Sequence, residues 1–129
     1  MPTRLQRFHE SGQTHFITFS CYHRRPLLRS AKAAYEFMLG LERVRRHYRF
    51  RVYGFVVMPD HVHLLVSEPN YSCLSEAIKA LKQGISRRLS PPDRRFWQTR
   101  YYDFNVHDER KRIEKLQYIH RNPIRAAVP

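Results

Sequence analysis

Apolar and polar residues fall into short blocks along the chain, and the spacing of the apolar ones switches between two residues and three to four. THFITFSC, residues 14–21, sets His15, Ile17 and Phe19 against Phe16, Thr18 and Ser20 and is rich in β-branched and aromatic types, which predicts a first strand. Ser30 is a candidate N-cap for a helix whose apolar positions, Ala34, Phe37 or Met38, Leu41, Val44 and Tyr48, recur every three or four residues and which should end near His47. FRVYGFVV (50–57) and HVHLLVSE (61–68) predict two more strands, joined by a tight turn at Pro59 and Asp60. Leu74, Ile78, Leu81, Ile85 and Leu89 mark a second amphipathic helix closed by Pro91 and Pro92. TRYYDFNV (99–106) alternates as a fourth strand, and Asp108 is a candidate N-cap for a last helix stopped at Pro123. The order β-α-β-β-α-β-α predicts an α+β fold. It is expected to be a ferredoxin-like, split βαβ antiparallel sheet with two helices on one face, leaving the other face for the C-terminal helix.

At 129 residues the chain is expected to form one domain over residues 1–129, and no internal repeat or low-complexity segment divides it. Lys and Arg number 24 against 11 Asp and Glu, a formal net charge of +13, so the expected partner is polyanionic, with nucleic acid ahead of an anionic membrane surface or plain solubilising charge. Cys21 and Cys73 lie far apart and outside any paired ligand motif, as in a reduced cytosolic protein. No apolar run approaches the ~20 residues of a membrane span, and MPTRLQRFHE lacks the apolar core of a signal peptide, so a soluble cytoplasmic protein with no membrane association is expected.

Within YGFVVMPDHVHLLV, residues 53–66, His61 and His63 stand where a buried strand would carry valine or leucine. Side chains at i and i+2 share a face, so the two imidazoles should project together while Val62, Leu64 and Val66 enter the helix-covered core. They are either two arms of a metal site or a pair of strand histidines satisfied by neighbours, and two adjacent imidazoles on one face favour the metal. In ERKRIEKLQYIHRNP, at about 100° per residue, Ile113, Leu116 and His120 are expected on the apolar side, with Lys111, Lys115, Tyr118 and Asn122 clustered opposite. Tyr118 is then off the apolar stripe, and its place beside two lysines and a side-chain amide weakens its reading as a core or rim aromatic.

HVH after an apolar strand and an MPD turn, WQ at Trp97 and Gln98 ahead of a tyrosine-containing strand, and YIHRNPIRAA at residues 118–127 together resemble the single-tyrosine HUH transposases, and most of all the REP-associated tyrosine transposases of bacteria, in the IS200-like group. The resemblance runs along essentially the whole chain. It implies that Tyr118 is the catalytic nucleophile and that His61, His63 and Asn122 hold a divalent ion, Mg²⁺ or Mn²⁺. It also implies cleavage and rejoining of single-stranded DNA at palindromic hairpins through a 5′-phosphotyrosine, by a nucleoid-associated monomer or homodimer. A C-terminal extension found in many such relatives, which bears on their regulation, is not seen before the chain stops at Pro129. The chemistry is coherent with those residue types. A divalent ion polarises a phosphodiester, and a phenol is a good leaving group, so a phosphotyrosine bond keeps the broken strand ready for rejoining. The lysines on Tyr118's face are expected to lower its pKa or balance phosphate charge.

Candidate DNA contacts are Arg45 and Arg46 near the end of the first helix, Lys79, Lys82, Arg87 and Arg88 on the second, Arg94, Arg95, Trp97 and Arg100 ahead of the fourth strand, and Lys111 and Lys115 on the last helix. Each is equally an ordinary solvated charge, and Trp97 either stacks on an unpaired base or belongs to the core. The alternative function is a non-catalytic RNA- or DNA-binding module with an RRM-like sheet, since RVYGFVVM (51–58) partly matches the RNP1 pattern. That pattern belongs on a strand running into a helix, whereas this one turns at once into the histidine strand. A zinc hydrolase would need a third ligand such as His107 or His120.

Overall fold

The computed structural model describes residues 14–89, 95–106, 108–121 and 126–127. The expected Arg94 and Asn122, along with Pro91, Pro92, His107 and Pro123, lie outside them. Five strands, β1 (Thr14–Ser20), β2 (Val52–Val57), β3 (His61–Ser67), β4 (Tyr102–Val106) and β5 (Ala126–Ala127), form one sheet in the order β4-β1-β3-β2-β5 with every pairing antiparallel. The first four follow the split βαβ order. β5 is an addition that the sequence did not predict, because two alanines carry no strand signal.

α1 (Ala31–Tyr48) and α2 (Leu74–Leu89) cover one face. Ser30 caps α1 as expected, its hydroxyl accepting from Ala33 N at 3.0 Å, and Arg49 ends the helix in the left-handed region at φ 60°. The two helices approach closely at Gly40, where an added Cβ would lie 2.8 Å from Ile85 Cδ1. Beneath them Ile17, Phe19, Val62, Leu64 and Val66 meet Phe37, Leu41, Ile78 and Leu81 in the main core. A bulge between Val52 and Gly54 absorbs one residue, so that Val52 and Phe55 both reach this core although they are three apart.

α3 (Glu109–His120) crosses the opposite face and packs on β2 and β3. Asp108 caps it, accepting from Lys111 N at 2.8 Å. Ile119 is fully buried among Phe16, Val56, Leu65 and Val106, which roughly contributes 1.5–3 kcal/mol and seats the helix. The expected phase of α3 is corrected: Ile113 and His120 are exposed, and the packed side runs through Lys115, Leu116 and Ile119. The helix lies over a partly polar sheet surface, so its buried side carries a lysine stem instead of a continuous apolar stripe.

Candidate active site

The sheet period carries His61 and His63 onto the α3 face, with Val62, Leu64 and Val66 on the other. The turn that delivers them is tied down by backbone bonds: Met58 N donates to His61 O at 2.8 Å, Cys21 N to Asp60 O at 2.8 Å and Leu28 N to Pro59 O at 2.9 Å. Each imidazole is then fixed through Nδ1. Asp60 Oδ1 lies 2.7 Å from His61 Nδ1, and Thr18 Oγ1 lies 2.8 Å from His63 Nδ1. Arg24 Nε donates to the other oxygen of Asp60 at 2.9 Å, fixing the carboxylate in turn. Partners of this kind set the tautomer that presents Nε2 to an electrophile.

The ring centroids of His61 and His63 are 4.9 Å apart. His63, only 8% exposed, stacks on Phe16 at 5.3 Å with an interplanar angle of 13°. Burial first, and then the neighbouring His61 and Lys115 charges, lower its pKa to about 4, so it is the neutral imidazole that metal ligation requires. Tyr118 meets the same ring edge-on, with centroids 5.3 Å apart and planes at 79°, while remaining 43% exposed. A phenol on the last helix thus touches the second histidine of a strand more than fifty residues earlier. Lys115 is also drawn in, its ammonium 4.5 Å over Phe16 and 4.9 Å over Phe104.

The donor set fits a divalent ion in its chemistry: two oriented imidazoles, one of them held neutral, beside an oxygen nucleophile. Among the described residues no group of three or more His, Cys, Asp or Glu side chains converges to hold a metal, so the rest of a coordination shell would come from oxygen donors of other kinds. Asn122, expected as the third ligand, lies outside the described residues.

The basic residues expected to meet DNA separate into several surfaces. Arg45 and Arg46 on α1 are both held by Glu42, at 2.7 and 2.8 Å, and Lys79, Arg87 and Arg88 lie exposed on α2. Arg95 and Arg100 stand exposed near the start of β4, and Lys111 is exposed on α3. Two expectations are corrected. Lys82 is half-buried, its ammonium donating to Gln98 O at 2.8 Å and lying over Phe19, so it holds the segment before β4 in place. Trp97 is 7% exposed, its indole N–H donating to Lys82 O at 2.9 Å and its ring meeting Phe19 at 4.9 Å; it is core and offers no face to a base. The sequence reading missed Thr18 as the partner of His63. The only signal was its place on the same strand face as Phe16.

A family model for IS200-like transposases matches residues 9–122. A Haemophilus influenzae protein named as a REP-associated tyrosine transposase is 28% identical over 103 residues, covering 70% of this chain. The match spans 58% of that relative's length. Among solved structures, a REP-associated tyrosine transposase bound to a REP hairpin aligns with a TM-score of 0.74 at 21% identity, covering 88% of this chain and 67% of that one. A Deinococcus radiodurans protein named as a transposase aligns with a TM-score of 0.63 at 23% identity, covering 84% of this chain and 89% of that one.

Proposed function

The chain belongs to the family of IS200-like transposases, and from that premise we propose that it cleaves and rejoins single-stranded DNA beside a hairpin, using Tyr118 as nucleophile. The observation that carries this is the edge-on contact of Tyr118 with His63, which sets an exposed phenol against an oriented, neutral imidazole. REP hairpins are the first substrates to test, since a relative of the same fold is bound to one.

In the step proposed, the Tyr118 oxygen loses its proton to solvent and attacks the scissile phosphorus. The P–O3′ bond breaks, the 3′ oxygen takes up a proton as a free hydroxyl, and the 5′ phosphate remains joined to Tyr118. Reversal with an incoming 3′ hydroxyl rejoins a strand, and the phosphotyrosine conserves the bond energy throughout. His61 and His63, with Asn122 as a proposed third donor, would hold a Mg²⁺ or Mn²⁺ ion. That ion supplies charge neutralisation and polarisation of the phosphate when bound. Asp60 and Thr18 orient the two imidazoles, and Lys115 adds positive charge beside them.

An RRM-like reading would need the central strands to expose aromatic platforms on the open sheet face. Phe16, the aromatic of that face on β1, lies buried beneath His63 and Tyr118 under α3, which favours the nuclease. The test is incubation with single-stranded hairpins cut from intergenic palindromes, in Mg²⁺ or Mn²⁺, followed by denaturing electrophoresis for a covalent adduct. The adduct should carry the 5′ phosphate, vanish with EDTA and be lost in Tyr118→Phe. An adduct that survives Tyr118→Phe, or equal cutting of blunt duplex, would overturn the reading.

A further inference from the structure

Resting on that reading of Tyr118 and its single strand, we propose that the groove between the end of β1 and the start of β4 holds one unpaired nucleobase of the strand, stacked on Tyr102 and flanked by Arg95. The register places it. Tyr102 pairs with Thr18, and Thr18 pairs with His63, so the three residues form one row across β4, β1 and β3. Residues directly opposite one another share a sheet face. Tyr102 therefore stands on the His63 side, two strand spacings or roughly 10 Å away, a distance one unstacked nucleotide can span from the phosphate at the histidines.

Tyr102 is 57% exposed on an edge strand, whereas Phe16 in the neighbouring row is covered. The groove beside it has a volume of about 620 Å³ and takes in Thr18, Ser20, Tyr22, Arg95, Gln98 and Tyr102. That is within the range of sites that receive a small ligand. Phe19, Thr99, Arg100 and Tyr101 complete a lining with two guanidiniums and three phenols, and no carboxylate belongs to it among the described residues. Cations interleaved with aromatic faces are the recognition chemistry of single strands, and they suit a flat ring attached to a phosphate.

The walls are set before any ligand arrives. Tyr22 N donates to Phe96 O at 2.8 Å and Gln98 N to Ser20 O at 3.0 Å, joining the two sides of the groove by backbone bonds. Lys82 secures the Gln98 carbonyl from below. The Arg95 guanidinium lies 4.9 Å over the Tyr22 ring and donates to Thr99 Oγ1 at 2.5 Å, so its plane is held. Gln98, which also lines the groove, accepts from His23 N through Oε1 at 3.4 Å, and its side-chain amide has donors of the kind a base edge accepts from. A prearranged site loses less freedom on binding.

The experiment places 2-aminopurine at each unpaired position flanking a DNA hairpin in turn and follows its fluorescence on binding to the Tyr118→Phe protein in Mg²⁺, with a second dye on the stem reporting binding itself. Quenching is expected at one position. It should persist in Tyr102→Phe and disappear in Tyr102→Leu, which keeps an apolar side chain on the strand, and affinity should fall on the order of tenfold. Hairpin binding with a quench indifferent to Tyr102→Leu, or with no position quenched, overturns the subsite while leaving the Tyr118 chemistry standing. Failure of the stem-labelled hairpin to bind at all would remove both.

Discussion

Thr18 and His63 sit opposite each other on β1 and β3, and the threonine hydroxyl lies 2.8 Å from His63 Nδ1. A partner on Nδ1 decides which nitrogen carries the lone pair and how the ring is aimed, and losing such a partner usually lowers metal affinity by roughly 10–100-fold. Thr18→Val keeps the β-branched shape and removes the hydroxyl. It should raise the Mn²⁺ concentration needed for half-maximal adduct formation about tenfold, with Thr18→Ser close to wild type. An unchanged metal titration would mean that Phe16 stacking alone aims the ring.

A second histidine works in the opposite direction. His15 is buried on the helix-covered side of β1, with Nδ1 2.8 Å from Asp103 Oδ1 and Nε2 paired with Glu68. Burial lowers its pKa, but the hydrogen bonds to Asp103 and then Glu68, with their charges, outweigh that and raise it to about 9. A folded pKa above the unfolded ~6.5 means that the cation contributes stability fully below pH ~6.5 and loses it as the pH climbs through about 9. The contribution is on the order of a few kcal/mol. Urea midpoints for wild type and His15→Gln should therefore differ most near pH 6 and converge by pH 10. A gap that stays constant over that range would show that the ring holds β1, β3 and β4 by packing alone.

Why one histidine was legible in the sequence and the other was not follows from what each depends on. His61 and His63 announce themselves by a period of two inside an apolar strand, and the caps at Ser30 and Asp108 by local hydrogen bonding. His15 acquires its partners from residues 53 and 88 positions away, which no local pattern carries. α3 was misphased for a related reason: its packed side includes Lys115 and lies beside Tyr118, so the apolar rhythm that locates a buried face was diluted by the site it serves. Trp97 was ambiguous because a tryptophan beside arginines reads alike as core or platform until Lys82 and Phe19 are placed around it.

Trp97 now makes a clear prediction. Trp97→Ala should destabilise the protein by about 3–5 kcal/mol through the cavity and the unpaired Lys82 carbonyl, and Trp97→Phe by less. Folded Trp97→Phe should bind a hairpin as wild type does, measured by anisotropy below its melting temperature. A loss of affinity with no loss of stability would restore the tryptophan as a stacking surface.

Glu42 gives the last prediction, because it holds two of the arginines expected to meet phosphate. Arg45 contacts both of its oxygens and Arg46 one of them, and these two guanidiniums pull the carboxyl down to about 2, so it stays ionised and offsets their charge. Arg45 and Arg46 also line a concavity with Arg49, Arg51 and Asn70, and the surface continues past Tyr53 towards Arg112 on α3. If a hairpin stem lies along it, Glu42→Gln frees positive charge for phosphate without removing a contact. Affinity at low salt should then rise, and the slope of log K against log salt should steepen by about one, with Arg46→Gln moving it the other way. Identical slopes for wild type and both variants would assign this arginine cluster to α1 itself and leave the DNA to the opposite face of the sheet.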